Sequence, residues 1–262
     1  MNSSDRDPGA ELAATRRRGR GMLGRLLALI VLTVALAYIE SALVVYLREV
    51  IAPLRSVHFP GAAREMLPLL RLEHVREAGP QYLLLLRIEV GREMTPIVVL
   101  LAAAWVLGRS ARQVVGFFLL GFGVWDIFYY VWLKVLLDWP ASLGTWDVLF
   151  LIPTAWVAPV WAPLVVSVTL AAAGAVLVVH RCGRVGRARA IGSGLAISVG
   201  CGLVLMSFFL RTGEAFGRVP ERFDWEWFCL GWVVGVGGVV WRLLSVRIRA
   251  QTSLTDAKRP ES

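Results

Sequence analysis

The sequence predicts an all-α fold, a polytopic membrane bundle of about six transmembrane helices with both termini cytosolic. Three observations carry this. The chain of 262 residues is 57% hydrophobic with a mean hydropathy of +0.64, whereas a soluble domain holds about 45–50% apolar residues. The excess is gathered into runs of about twenty residues or more, the length that crosses a bilayer as a helix. The basic residues lie between those runs, with 17 on the side of the termini and 8 on the other. That alternation is the positive-inside pattern. The net charge of +9 is thus accounted for by orientation in a membrane. The lipid bilayer is the expected partner and nucleic acid is not.

Lysine occurs only at Lys134 and Lys258. Such reliance on arginine points to a GC-rich bacterial genome, and so to the bacterial inner membrane. Cys182, Cys201 and Cys229 show neither CxxC nor metal spacing, and the last two, set in apolar runs, are expected in the core.

In chain order, residues 1–21 are polar and then basic (Arg16, Arg17, Arg18, Arg20) and read as a disordered cytosolic arm before an uncleaved helix. Residues 22–250 form the transmembrane domain. Its first span, 22–47, carries Arg25 at the cytosolic end and Glu40 and Ser41 in the outer half. A charged loop follows. In it, 62–77 alternates Met66, Leu69, Leu70 and Leu72 with Arg64, Glu65, Arg71 and Glu73. This fits an amphipathic helix on the outer membrane surface, or, because Pro68 interrupts it, an irregular loop packed on the bundle.

The second span, 81–108, sets Glu89, Arg92 and Glu93 on one helical face and Arg87 on the other. Pro96 should kink it or free a carbonyl near Arg92. The third, 114–137, places Asp126 near its middle, with Tyr130 and Lys134 following on the same face. The fourth, 150–179, is broken by Pro153, Pro159 and Pro163. It is either one long helix or an interfacial or re-entrant piece followed by a helix, with Asp147 as an N-cap. The fifth, 190–210, is rich in small residues. The sixth, 227–244, has Gly231 and Gly235 at GxxxG spacing. That spacing packs it on the fifth span, or mediates self-association or docking of a partner subunit. Residues 251–262 form a polar cytosolic tail.

Charges inside a span cost at least ~2.5–3.5 kcal/mol each against hydrocarbon, so they seek partners. At ~1.5 Å per residue, Glu40 lies about 10 Å from the outer end of its helix, Glu89 about 12 Å, Asp126 about 16 Å and Glu93 about 18 Å. Three helices bring carboxylates to similar depth around one buried cation, Arg92. They cannot all stay ionised and dry; some must protonate, bind a cation or meet water. Glu40, Glu89, Arg92, Glu93, Asp126 and Tyr130 are therefore expected to form an outward-facing acidic cavity. Arg87 and Lys134 are secondary candidates that snorkel outward. Glu93 is expected to meet Asp126 across the short turn joining their helices. The competing reading is a closed network that only locks the bundle, with Arg92 on Glu89 or Asp126 and Tyr130 on Glu93.

The leading function is transport-type handling of a cation, proton or small polar solute. A second is a membrane-embedded enzyme using Glu and Asp as acid and base on a lipid-linked or periplasmic substrate, and a third is a non-catalytic scaffold subunit. Charge concentrates in the first three spans, so the halves show no repeat of the kind many carriers have. No P-loop, GxGxxG, HExxH, GxSxG or histidine-rich box occurs, so the sequence identifies no cofactor and does not decide whether the chain is an enzyme. His58 and His74 share a loop without metal-ligand spacing, and no metal site is expected.

Overall fold

A computed structural model describes residues 8–62, 65–180 and 186–256. Helix α1 runs over Pro8–His58, α2 over Leu72–Glu77, α3 over Pro80–Leu107 and α4 over Ala111–Leu137. A β-hairpin follows, β1 Trp146–Phe150 and β2 Trp156–Pro159, then α5 Trp161–Val179, α6 Arg187–Phe209, α7 Thr212–Ala215 and α8 Trp225–Asp256. Six of these helices are long and apolar enough to cross a membrane. The chain is a multi-pass helical membrane protein.

Local chemistry sets the helix ends. Gly79 adopts φ 116°, which favours glycine, and Pro80 supplies the first turn of α3, where no amide hydrogen is needed. Ser110 caps α4 by accepting from Gln113 N–H at 3.3 Å. At the other end of α4 Asp138 takes the left-handed conformation, φ 52°.

α4 is the hub. It packs on α1, α3 and α5. Its face toward α5 is cut down to Gly116 and Gly123, and α5 answers with Gly174. A Cβ on Gly123 would lie 2.3 Å from the Ser167 carbonyl oxygen, and one on Gly174 2.4 Å from Leu120 N. Small residues here let the backbones touch, which in lipid replaces the hydrophobic drive between helices. α6 packs chiefly on α8 by the same device. A Cβ on Gly200 would meet Gly235 N at 2.4 Å, and one on Gly231 the Gly200 oxygen at 2.8 Å. The GxxxG glycines thus pack against the preceding span, as one of the two sequence readings has it.

Several boundaries differ from the sequence reading. The arm expected to be disordered is helical from Pro8, because Leu12, Ala13 and Ala14 extend a helix that the apolar span has already nucleated. The last helix likewise runs on into the expected tail, to Asp256.

The 62–77 segment is not an amphipathic helix. Arg55, 2% exposed, gathers the carbonyls of Ala62, Met66 and Pro68. Leu67 and Leu69 then bury against Ala155, Val157 and Ala215. Among the described residues of this segment, only Leu72–Glu77 is α-helical.

Residues 146–159 form the antiparallel hairpin, with Trp146 opposite Pro159 and Val148 opposite Val157. The span proper begins at Trp161 rather than 150, and this two-stranded piece is the one departure from an all-α fold among the described residues. Pro153 and Pro159 cannot continue a helix, while Val148, Phe150, Trp156 and Val157 favour extended backbone. Cys201 and Cys229 are exposed on the bundle, not in its core.

Candidate functional site

The hairpin marks one end of the bundle, and the charges of the spans gather beneath it. Arg92, on α3, donates from Nε to Glu89 at 2.8 Å and from Nη1 to Glu40 on α1. Glu40 is 7% exposed, so this pair is a buried tie between two spans. Glu93, one residue on, turns to the hairpin. Its two carboxylate oxygens accept from Leu151 N–H at 2.9 and 3.1 Å. Asp126, midway along α4, accepts from Ser167 Oγ of α5 at 2.7 Å. Tyr130, one turn further, donates to Asp147 of β1 at 3.0 Å.

Glu40, Glu89 and Arg92 therefore meet as the sequence suggests. Glu93 does not bond to Asp126, because Leu151 in the hairpin occupies Glu93 and Ser167 of α5 occupies Asp126, and Tyr130 donates to Asp147 of β1 instead of Glu93. Arg87 is exposed on the opposite face of α3. Lys134 points to the rim, where it pairs with Asp138 at 2.7 Å and closes the carbonyl end of α4.

Two members of the cluster escape a sequence reading. Asp147, assigned as a helix cap, is 2% exposed on β1, accepting from Tyr130 and from Val148 N–H at 2.8 Å. Arg48, assigned to a loop, is 6% exposed because α1 continues past it. Its guanidinium lies 4.6 Å over the Trp139 ring. Its Nε and Nη2 find no hydrogen-bond partner among the described residues. The available signal was position: each charge abuts an apolar run, where a longer helix or a folded-back strand buries it.

Burial pushes the Asp147 carboxyl up to about 6, against the Tyr130 hydrogen bond, the positive charge of Arg48 and the Val148 N–H; Asp126 adds to the rise. The folded state thus prefers the protonated form. Its contribution is complete below the ordinary carboxyl value of about 3.9 and is lost as pH rises through about 6. In detergent the thermal midpoint should fall between about pH 4 and pH 7, and Asp147→Asn should flatten that fall. Equal slopes in the two proteins would assign the dependence elsewhere.

A continuous cavity of about 1490 Å³ begins at this cluster. Glu40, Glu89, Glu93 and Asp147 face its hairpin end, Asp126 and Ser167 its middle, and Arg112 and Arg242 its far end. Between them its walls are mainly aliphatic, with Leu170 on α5, Val204 on α6 and Val236 on α8. The cavity is the gap between the α1–α3–α4–α5 body and the α6–α8 pair, which meet mainly toward the hairpin, where Ala158 and Ala162 pack on Val204, Phe208 and Phe228. Trp125 Nε1 and Trp156 Nε1 are buried without a hydrogen-bond partner among the described residues, and both residues line it.

No group of three or more His, Cys, Asp or Glu side chains is arranged to hold a metal among the described residues. Compared with known protein families, with curated proteins and with solved structures, the chain finds no match.

Proposed function

We propose that the protein is a carrier for a lipid-like amphiphile, which passes along the groove between the α6–α8 pair and the rest of the bundle. In this reading both termini lie in the cytosol of a bacterial cell and the hairpin end faces outward, which the distribution of basic residues supports. The groove itself supports this reading most. Its 1490 Å³ exceeds the ~300–1,000 Å³ of a small-molecule site. It runs from one charged end of the bundle to the other along aliphatic walls that suit acyl chains and not a hydrated ion. The carboxylates at the hairpin end receive a head group that is cationic or donates hydrogen bonds. The orphan indole N–H groups of Trp125 and Trp156 supply donors for ester or phosphate oxygens, which relieves the cost of leaving them unmade.

The test is lipid movement between leaflets. In liposomes holding the purified protein and a head-labelled phospholipid, a membrane-impermeant quencher should reach label from the inner leaflet faster than in empty liposomes. Val236→Trp, which fills the groove, should return the rate to that of empty liposomes. Equal rates with and without protein, or an unaffected Val236→Trp variant, would overturn the reading.

The proton is the other species the site suits. Glu93 and Asp126 accept hydrogen bonds only from neutral donors among the described residues, so neither is tied to a cation. A carboxyl infrared band that shifts with pH and disappears in Asp126→Asn would support proton handling beside lipid movement.

A further inference from the structure

The two ends of the groove are chemically opposite. Carboxylates crowd one end, and arginines stand at the other. Several described arginines at that second end do what cationic side chains do beside a membrane. Arg109, Arg187 and Arg189 are exposed to water and head groups. Arg112 differs. It is the second residue of α4, it faces the groove, and its Nη1 is wholly buried with no hydrogen-bond partner among the described residues. An orphaned guanidinium nitrogen is expensive, and a phosphate or carboxylate oxygen is what normally satisfies it. Arg242 of α8 is exposed but, unlike Arg109, Arg187 and Arg189, also lines the groove. The first amides of α4 favour negative charge there as well.

We infer that Arg112 and Arg242 clamp the phosphate of a glycerophospholipid whose acyl chains lie in the groove. Charge selects the anion, and the aliphatic walls select an anion that carries chains over a free one. Arg112 reaches the phosphate from the body of the bundle and Arg242 from the α6–α8 pair. The lipid therefore bridges two parts of the protein whose own packing lies mainly toward the hairpin. This inference rests on the groove of the proposed carrier and names the chemistry of what enters it. It requires binding only, so it can fail while transport stands, and hold where transport fails.

Native mass spectrometry of the full chain in mild detergent tests it. The probes are phosphatidylglycerol, diacylglycerol with the same chains, and inorganic phosphate. The wild type should retain phosphatidylglycerol and should bind diacylglycerol more than about tenfold less tightly, because without the phosphate the contacts of both Arg112 and Arg242 are lost. Inorganic phosphate at millimolar concentration should not displace the lipid. Arg112→Gln should weaken phosphatidylglycerol binding about tenfold and leave diacylglycerol binding as it was. Arg242→Gln should weaken it less, and Arg109→Gln not at all. If Arg112→Gln does not fold, Arg112→Lys is read in its place. It keeps the charge without the planar fork, and a loss of about threefold is expected. Unchanged phosphatidylglycerol binding in the Arg112 variant would overturn the inference. So would an equal loss in Arg109→Gln, displacement by inorganic phosphate, or equal affinity for diacylglycerol.

Discussion

Gly123→Leu is expected to abolish the folded protein. The added Cβ alone would stand 2.3 Å from the carbonyl oxygen of Ser167, 2.8 Å from Ala171 N and 2.9 Å from Ala171 Cβ. Two of those atoms are backbone and cannot rotate away. Overpacking usually costs about 1–3 kcal/mol where side chains can yield. Here α4 and α5 must part along their whole contact, and Gly116 and Gly174 lose their close approach with it. The separation would also break Ser167 from Asp126 and leave a carboxyl bare in the middle of a span. The expected readout is loss of the monodisperse peak in size-exclusion chromatography. Gly194→Leu and Gly202→Leu, on α6 where nothing lies within 4 Å of either Cβ, should purify as the wild type does. If Gly123→Leu eluted normally and melted within a few degrees of the wild type, the α4–α5 contact would not be the one described.

Arg92→Gln should produce the second largest loss, and it should be reversible by further mutation. Arg92 is the shared counter-charge of Glu40 and Glu89. Removing one partner of a buried ion pair costs about 3–5 kcal/mol, because the charge left behind has neither water nor a partner. Glu40 is the more exacting of the two, since it is held on another helix. The triple variant Glu40→Gln, Glu89→Gln, Arg92→Gln should recover most of the lost thermal midpoint, because neutral amides can bond to one another without a buried charge. A triple variant as unstable as Arg92→Gln alone would show that Arg92 acts through shape and not through charge.

How much of this was legible in the sequence differs by level. The spans were, because their signal is length and apolarity, which the bilayer imposes regardless of neighbours. The pairing of Arg92 with Glu89 was legible as one of two options, beside Asp126, since residues three apart on a helix are neighbours. The partner of Glu93 was not. Its two bonds go to the backbone of Leu151, and a backbone amide has no signature in the residue types. Asp147 was misassigned because an acidic residue ahead of an apolar run fits a helix cap and a buried strand position equally well. The prolines argued against a straight helix, but they do not say that the chain folds back as a hairpin. Arg55 shows the same limit. A lone arginine in a charged loop reads as solvated, yet it is buried because three loop carbonyls converge on it.

The division of the bundle into a body and a trailing pair has a consequence for how the molecule is born. The helices of the body, α1, α3, α4 and α5, are all synthesised before α6 begins. They can settle against one another in the membrane while the far wall of the groove is still in the ribosome. During that interval the face of α5 that will line the groove can be covered only by surrounding lipid. α6 and α8 then arrive as a matched couple, each the main partner of the other, and close over whatever occupies that face. Under the proposed carrier reading, the first lipid in the groove is enclosed at assembly.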